Sequence, residues 1–439
     1  MGLFFGTDGL RGKVNEDLTQ NIAYKIGNAL SILTENPTII IGSDTRVSNT
    51  YLTLSVANGA MSGGARVIDV GVVPTAGIAY ITRKIKADYG IVISASHNSG
   101  EYNGIKVFNK DGYKLSDKEE ERIERCFIRE KVNAFPNVGT YEQNFNLAKL
   151  YKKFLLDASK NSLKGKTIVL DGAFGAAHKI APEVFRKLGA NVIAANCVND
   201  GLKINENCGA LYPENLIKRV FRYKADMGFA FDGDADRLIA VDEKGKIIDG
   251  DEIILALAKY LKKQGRLNSD TVVGTSHTNV AIEEDLNKNG IKLIRTDIGD
   301  KYVLAKLIEK NLSLGGEQSG HIILKDMATT GDGILSAIIV ANMVISEKAT
   351  MSELFEIELY PQSNKNVVVD DKFRVMNSEE LSREVAKYNA ELKGKGRLMI
   401  RASGTEPKIR VMVESKDKIE NEQIANSIVN LIKRINTEV

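Results

Sequence analysis

The chain of 439 residues has little of what marks several broad classes of protein. Its three cysteines (Cys126, Cys197 and Cys208) are too few and too scattered for a disulfide framework or a zinc site. The most apolar stretch, residues 334–345, is short and interrupted by polar residues, so it predicts a buried helix rather than a membrane span. No segment resembles a signal peptide at the N-terminus, and we expect a cytoplasmic protein without a membrane partner.

The chain also lacks a charge excess. Lysine and arginine number 60 against 57 aspartates and glutamates, so the net charge is +3. This balance provides no uniform field for nucleic acid, and we expect none as a partner. A hydrophobic content of 43% and a charged content of 27% are typical of soluble globular proteins. Any anion site must therefore be built locally, as for a small-molecule substrate.

Amphipathic helices, short β-branched strands and polar glycine-rich loops alternate through most of the chain. The strand TIIIG leads into SDTRVS, and the strand YGIVI leads into SASHNSG. Apolar strands that end in polar loops predict α/β layers with mixed, largely parallel sheets. The last part instead predicts a small α+β domain. We expect three α/β domains and a smaller C-terminal α+β domain around one cleft, with boundaries at 1–150, 151–249, 250–360 and 361–439.

The most specific local pattern is the acidic run Asp232, Asp234 and Asp236, followed by Arg237. Three carboxylates at alternating positions predict a site for a divalent cation that prefers oxygen ligands. With Glu243 the run also matches four positions of a calcium-binding EF-hand loop, but Arg237 stands where that loop needs glycine. The flanking residues read as strands rather than helices. A solvated acidic turn is the remaining alternative.

A second pattern is the serine loop, residues 94–100, which follows a predicted strand. Ser96 lies where α/β folds place ligands, and His97 is one of only four histidines. A lone serine or histidine in a loop is more often structural. Lys106 follows in NGIKVF, where a lysine is usually a surface residue, and Arg11 lies in an N-terminal glycine-rich loop.

Two further loops carry polar side chains at suggestive spacing. Glu317 and Ser319 alternate in GGEQSGH and could bind vicinal hydroxyls, with His321 beside them, although an ordinary turn is as good an interpretation. The segment RASGTEP combines an arginine, two hydroxyls and a glycine amide, which predicts a phosphate cradle. The alternative is a polar hairpin turn. The residues of this predicted cradle are Arg401, Ser403, Gly404, Thr405 and Arg410.

Together these four loops resemble the α-D-phosphohexomutase superfamily, whose pattern covers the whole chain in order. The segments FGTDGLRG, GLKINENCGA, GEQSGH and TTGDG resemble the branch that acts on glucosamine phosphates. The chain departs from the family pattern in having Ser99 where a proline usually follows SASHN, which affects loop rigidity and removes no ligand.

The resemblance implies a role for each matching residue. Ser96 would carry the transferable phosphoryl group, and its phosphate would complete a Mg²⁺ site with the three aspartates. Lys106, Arg11, His97 and Arg237 would be the other catalytic residues. Glu317, Ser319 and His321 would bind the sugar. The predicted cradle would hold the phosphate that is not transferred.

The resemblance also implies the reaction. Phospho-Ser96 would donate to glucosamine 6-phosphate, and the resulting 1,6-bisphosphate would return its other phosphate to the serine, with a hexosamine or hexose 1,6-bisphosphate as activator. The product would feed UDP-N-acetylglucosamine and cell-wall precursor synthesis. The enzyme would be a monomer or a homodimer.

Three alternatives stay open at this point. A phosphomannomutase or phosphoglucomutase would share the fold, and Gln318 is the one local hint against it. A metal-dependent phosphatase would not need Ser96. A non-catalytic sugar-phosphate sensor would lack at least one of the catalytic or binding residues that the resemblance implies, and the sequence has all of them.

Overall fold

A computed structural model describes residues 5–6, 8–128, 138–403 and 407–437. Contacts divide the chain into two compact units. The first comprises Met1–His277 and Asn289–Glu356, and the second comprises Thr278–Lys288 and Ile357–Val439. Among the described residues, none of the helices is both long and apolar enough to cross a lipid bilayer.

The first unit begins with a mixed six-stranded sheet. Its strands are β1 Leu10–Lys13, β2 Thr38–Ser43, β3 Arg66–Val72, β4 Tyr89–Ile93, β5 Tyr102–Asn109 and β6 Thr140–Gln143. Their order is β1-β5-β4-β2-β3-β6, and β2, β3, β4 and β6 run parallel while β5 is antiparallel to both neighbours. The accompanying helices are α1 Gln20–Leu33, α2 Asn49–Ser62, α3 Thr75–Ile85 and α4 Asp117–Ile128.

A second sheet has five strands in the order β11-β10-β9-β7-β8. They are β7 Thr167–Asp171, β8 Asn191–Ala195, β9 Met227–Phe231, β10 Leu238–Asp242 and β11 Ile247–Ile248. β9 and β10 are fully buried and antiparallel, so the acidic run lies in the turn between two core strands. The helices are α5 Ala148–Ala158, α6 Ala177–Lys187 and α7 Glu214–Tyr223.

A third sheet completes the first unit with the order β13-β12-β14-β15. Its strands are β12 Thr271–Thr275, β13 Lys292–Thr296, β14 Leu314–Gly316 and β15 Ile322–Leu324. Of the helices here, α8 Gly250–Lys263, α10 Asp300–Glu309, α11 Gly333–Glu347 and α12 Met351–Leu354 belong to the first unit, whereas α9 Val280–Lys288 belongs to the second. The buried residues of α11 extend from Gly333 to Val344, which confirms the buried helix predicted for residues 334–345.

The second unit contains an antiparallel three-stranded sheet in the order β16-β18-β17. The strands are β16 Gln362–Val368, β17 Gly396–Ala402 and β18 Lys408–Ser415, and the helices are α13 Lys372–Met376, α14 Glu379–Glu391 and α15 Lys418–Thr437. α15 buries Ile424, Ile428 and Ile432 against this sheet, because apolar residues at spacings of four share one face of a helix.

The predicted fold class is confirmed, with three α/β layers on mixed sheets and a C-terminal antiparallel sheet. The three boundaries between the predicted domains, after residues 150, 249 and 360, stay a prediction.

Candidate active site

Ser96 lies in the loop that follows β4. This buried strand is in the interior of the first sheet, so the loop lies where the strand ends. The Ser96 backbone is left-handed, with φ of 51°, and its side chain is 1% exposed. The Ser96 Oγ donates a hydrogen bond to Asp232 Oδ2 at 2.6 Å. The serine and acidic loops, far apart in sequence, therefore meet at the predicted nucleophile.

The three aspartates of the acidic loop share one buried space. One carboxylate oxygen from each of Asp232, Asp234 and Asp236 lies within 4.8 Å of the others. Asp234 Oδ1 is buried and has no hydrogen-bond partner in the part of the chain that the structure describes, and Asp236 Oδ1, also buried without a hydrogen bond, faces His321 Nδ1 at 3.6 Å. Buried carboxylate oxygens without donors are costly unless a cation satisfies them, so this set fits a divalent metal ion with oxygen ligands. The EF-hand interpretation is wrong, because strands flank the loop.

The aspartates differ in protonation behaviour because their neighbours differ. Burial raises the pKa of Asp232 well above its ordinary value, and the charges of Asp236 and Asp234 raise it further. Burial acts the same way on Asp236, but Lys106 and His321 hold the pKa of that carboxyl well below its usual range. These shifts show that the three carboxylates repel one another in the buried loop, and a bound cation would offset this repulsion.

Lys106 is the central cation of this cluster and is only 1% exposed. Its Nζ lies 2.8 Å from Asp234 Oδ2 and 3.0 Å from Asp8 Oδ2. Burial lowers the pKa of Lys106, but the surrounding carboxylates outweigh burial and raise it above its ordinary value, so the ammonium stays charged. The interpretation of this lysine as a surface residue is wrong. Arg11 lies nearby, with Nη1 donating to Asn98 Oδ1 at 3.3 Å and Nη2 bonded to Asp8.

His97 and Arg237 lie on opposite loops beside Ser96. His97 Nδ1 is 3.5 Å from Ser96 Oγ. Burial, together with the positive charges of Arg237 and Arg11, lowers the pKa of His97 to about 4, so the imidazole is neutral at pH 7. The backbone N–H of Arg237 donates to Asp232 Oδ1 at 3.2 Å, and its Nε has no hydrogen-bond partner among the described residues. The guanidinium is thus able to bind an anion.

The predicted sugar loop is the turn of the β14–β15 hairpin. Glu317 Oε1 accepts a hydrogen bond from the backbone N–H of Gly299 at 3.0 Å, and Ser319 is exposed. His321 is buried at the base of the loop, with Nδ1 3.6 Å from Asp236 Oδ1. Burial opposes protonation there, but Asp236 and Asp300 raise the pKa of His321 to about 9. Glu317, Ser319 and His321 therefore belong to the same unit as the acidic loop.

The predicted phosphate cradle lies in the second unit. Arg401 on β17 pairs directly with Arg410 on β18, and Ser403 is buried at the end of the hairpin. Burial and the charge of Arg410 both lower the pKa of Arg401. Gly404 and Thr405 lie outside the described residues. Two arginines opposite one another on neighbouring strands disfavour each other, and a bound anion relieves this repulsion.

Several residues at the site were missed by the sequence analysis. Asp8 joins Lys106, Arg11 and Lys114, and Lys114 also bonds to Asp300 of α10. Asp8 stands three residues before Arg11, which is the one signal that could have indicated it. Thr75, at the start of α3, donates to Asp234 Oδ2 at 2.6 Å.

Comparison with known families matches four models to successive parts of the chain. All four describe phosphoglucomutase/phosphomannomutase: alpha/beta/alpha domain I at residues 2–134, domain II at 147–245, domain III at 249–360 and the C-terminal domain at 365–431.

Relatives and solved structures match over nearly the whole length. A phosphoglucosamine mutase from Caldanaerobacter subterraneus is 46% identical, with 99% of each chain covered. A phosphoglucomutase/phosphomannomutase family protein from Burkholderia thailandensis has the same fold, with a TM-score of 0.84 at 22% identity over 99% of this chain and 98% of that one. N-acetylphosphoglucosamine mutase from Aspergillus fumigatus, solved with GlcNAc-6P and magnesium, has a TM-score of 0.66 at 17% identity over 99% and 96%. The chain therefore belongs to the phosphoglucosamine mutase family of phosphohexomutase enzymes, within the α-D-phosphohexomutase superfamily.

Proposed function

We propose that the enzyme interconverts glucosamine 6-phosphate and glucosamine 1-phosphate through a phosphoserine at Ser96 and a 1,6-bisphosphate intermediate. The observation that carries the proposal is the 2.6 Å contact between Ser96 Oγ and Asp232, at the mouth of a buried carboxylate cluster. A serine hydroxyl that contacts a carboxylate cluster fit for a metal ion is placed to carry a phosphoryl group that the same ion would also bind. The names of the full-length relatives support the amino-sugar substrate.

The surrounding charges suit phosphoryl transfer, which is catalysed mainly by positioning and by neutralising the equatorial oxygens. Mg²⁺, bound by Asp232, Asp234 and Asp236, would polarise the phosphate on Ser96 and offset its charge. Lys106 stays protonated, so it stabilises negative charge on the transferring phosphoryl group and on the sugar oxygen, while its raised pKa makes it a weak proton donor. Neutral His97, beside Ser96 Oγ, is able to accept the proton of that hydroxyl when the phosphoryl group returns.

Recognition of the substrate is assigned to two groups of residues. In the first unit, Glu317, Ser319 and His321 would bind the sugar hydroxyls, while Arg11 and Arg237 would bind the reacting phosphate. The cradle of Arg401, Ser403, Gly404, Thr405 and Arg410 would hold the other phosphate. Gln318 is a poor reporter of substrate choice, because its amide donates to Asp249 Oδ2 at 3.1 Å, the carboxylate that caps α8.

The same proposal includes the four domains with the boundaries predicted from the sequence. It also includes a monomeric or homodimeric enzyme in the cytoplasm whose product supplies UDP-N-acetylglucosamine synthesis. A phosphomannomutase or phosphoglucomutase activity is its alternative.

The test is a coupled assay with glucosamine 6-phosphate, with and without glucose 1,6-bisphosphate, read against glucose and mannose phosphates. We expect the highest kcat/KM with the amino sugar, and activation by the bisphosphate. Exhaustive chelation should abolish turnover and Mg²⁺ should restore it. A higher kcat/KM with glucose or mannose phosphate would contradict the substrate assignment, and full activity after chelation would contradict the metal assignment.

A further inference from the structure

Arg46, which follows β2 in the segment SDTRVS, lies buried behind the serine loop. Its guanidinium donates to three backbone carbonyl oxygens of that loop and to a fourth at the start of β5. Nη2 bonds to the oxygens of Ser96 at 3.0 Å and Asn98 at 2.8 Å, and Nη1 bonds to those of Ser99 and of Tyr102, the latter at 2.8 Å. One planar guanidinium thus binds the carbonyl oxygen of Ser96 and those of three residues that follow it.

Asp44 neutralises this arginine and links it to Ser96 by a second route. Asp44 Oδ2 lies 2.9 Å from Arg46 Nε, and neither side chain is exposed. The same oxygen accepts a hydrogen bond from Ser94 Oγ at 2.6 Å, and Ser94 Oγ accepts one from the backbone N–H of Ser96 at 2.9 Å. Both polar groups of the Ser96 backbone are therefore tied to the Asp44–Arg46 pair.

Asn205 reaches the same loop from the segment GLKINENCGA. Its Nδ2 donates to the carbonyl oxygen of Ser96 at 2.8 Å and to that of Asn98 at 3.0 Å. These are two of the oxygens that Arg46 also binds. Because a carbonyl oxygen has two lone pairs, Arg46 and Asn205 together saturate both acceptors.

The backbone of Ser96, whose carbonyl oxygen accepts these hydrogen bonds, is strained. Ser96 holds a φ of 51°, a region that a non-glycine residue occupies only where its surroundings enforce it. Gly233 of the acidic loop packs against the same carbonyl, where an added Cβ would lie 2.4 Å from the Ser96 oxygen. A small rotation of this peptide would therefore move Ser96 Oγ away from Asp232.

We propose that Arg46 and Asn205 are positioning residues for phosphoryl transfer, which hold the Ser96 peptide in the left-handed conformation that directs its hydroxyl to the acidic loop. The inference rests on the proposed phosphoserine mechanism. Neither side chain acts on the sugar in this account. Losing one should therefore lower the rate of phosphoryl transfer while leaving substrate affinity almost unchanged, because misplacing a reacting group by about 1 Å costs on the order of 100-fold.

The test compares Arg46→Lys and Asn205→Ala with two controls. Leu30→Ala removes a buried core side chain from α1 and destabilises the same sheet without touching the loop. Arg66→Lys alters an exposed arginine that pairs with Glu142. For each folded protein, kcat and KM are measured together with the rate at which glucose 1,6-bisphosphate phosphorylates Ser96, followed by intact mass, and with the melting temperature.

We expect Arg46→Lys to lower kcat and the Ser96 phosphorylation rate roughly 10- to 100-fold, with KM within about threefold, because an ammonium cannot reproduce the fork. Asn205→Ala should lower kcat and the Ser96 phosphorylation rate by a smaller factor than Arg46→Lys. Leu30→Ala should lower the melting temperature and leave kcat per folded molecule unchanged. Folded Arg46→Lys and Asn205→Ala proteins that keep kcat within twofold of wild type, or a Leu30→Ala protein that loses kcat equally, would overturn the assignment. A wild-type enzyme that turns over without phosphorylating Ser96 would instead overturn the proposed mechanism and this inference with it.

Discussion

The acidic cluster of the first unit and the arginine pair of the second unit distribute charge in opposite ways. Around Lys106, three carboxylates lie within 3.4 Å of one ammonium, and all of these side chains except that of Asp8 are nearly inaccessible. On the C-terminal hairpin, Arg401 faces Arg410, and neither side chain is fully buried. One region brings opposite charges together out of water, and the other brings like charges together near it.

This difference indicates what each region contributes. Removing one member of a buried ion cluster leaves an uncompensated charge, so such residues are needed for stability as well as for chemistry. Removing one of two like charges that face each other relieves their mutual repulsion, so the hairpin should lose little stability without one of them. We therefore expect substitutions of the buried charged residues in the first region to affect turnover and folding together, and substitutions of the arginines in the second to affect substrate use alone.

The most severe effect on turnover is expected from Ser96→Ala, which removes only the hydroxyl. Turnover should fall to background, whereas the free energy of unfolding should change by only about 1 kcal/mol, because one hydrogen bond is lost. Intact mass should show a phosphoryl adduct on the wild type that the variant lacks. Turnover within tenfold of wild type would remove Ser96 from the mechanism and would leave the first region as a structural cluster.

Lys106→Met tests the cost of unbalancing the buried cluster. Turnover should drop on the order of 100-fold or more, since an acid or electrostatic stabiliser is lost. The free energy of unfolding should fall by about 3–5 kcal/mol in the presence of a chelator, because the facing carboxylates then lack a cation. Saturating Mg²⁺ should reduce this loss of stability.

The control for Lys106→Met is Lys13→Met on β1, where the lysine is exposed and pairs with Glu16. The free energy of unfolding of this variant should barely change, because an ion pair in contact with water contributes little to stability. Equal destabilisation of the two variants, measured by denaturant titration, would show that Lys106 does not balance the buried carboxylates.

Arg401→Ala tests the second region and should affect substrate use alone. We expect kcat/KM to fall roughly 30- to 1000-fold, since a charge-assisted bond to phosphate is lost at about 2–4 kcal/mol, with the melting temperature unchanged or slightly raised. Arg401→Lys should recover only part of the loss, because an ammonium lacks the planar fork. Lys365→Ala, on β16 at the opposite edge of the same sheet, is the matched control. If Arg401→Ala kept kcat/KM within threefold of wild type, the predicted cradle would not bind phosphate and the segment would be a polar hairpin turn.

The sequence predicted what is local in these two regions. The apolar stretch at residues 334–345 predicted the buried helix α11 despite its two polar residues, because this signal is contained within one helix. The acidic loop was predicted from its own spacing and from the strands around it. Which loops meet in space was inferred only from resemblance to the superfamily.

What the sequence did not indicate is long-range pairing. Lys106 was assigned to the active site only through the resemblance, since a lysine in such a segment is usually a surface residue, and its partners Asp8 and Asp234 lie 98 and 128 residues away. Arg46 was likewise read as part of a polar loop, although four carbonyls surround it in the folded chain. The burial of a charged side chain can be predicted only when its partners are known, and these partners become its neighbours only when the chain folds.

Two histidines offer the finest test of the charge distribution in the first region. His97 faces mainly Arg237 and Arg11, whereas His321 faces Asp236 and Asp300. Burial disfavours the charged form of both, and the neighbouring charges then separate their pKa values to about 4 and about 9. With only four histidines in the chain, NMR titration of the ring signals should resolve them, assigned through His97→Gln and His321→Gln.

The sign of each shift fixes its effect on stability. The depressed pKa of His97 contributes stability above its ordinary value of 6.5, and this is lost as the pH falls through about 4. The raised pKa of His321 contributes stability below 6.5, and this is lost as the pH rises through about 9. Mg²⁺ should lower the His321 midpoint, because a cation on Asp236 offsets the charge that holds the proton, while moving the His97 midpoint less. If both midpoints lay within about one unit of 6.5, the two histidines would not experience opposite fields and the charges around Ser96 would be screened by water.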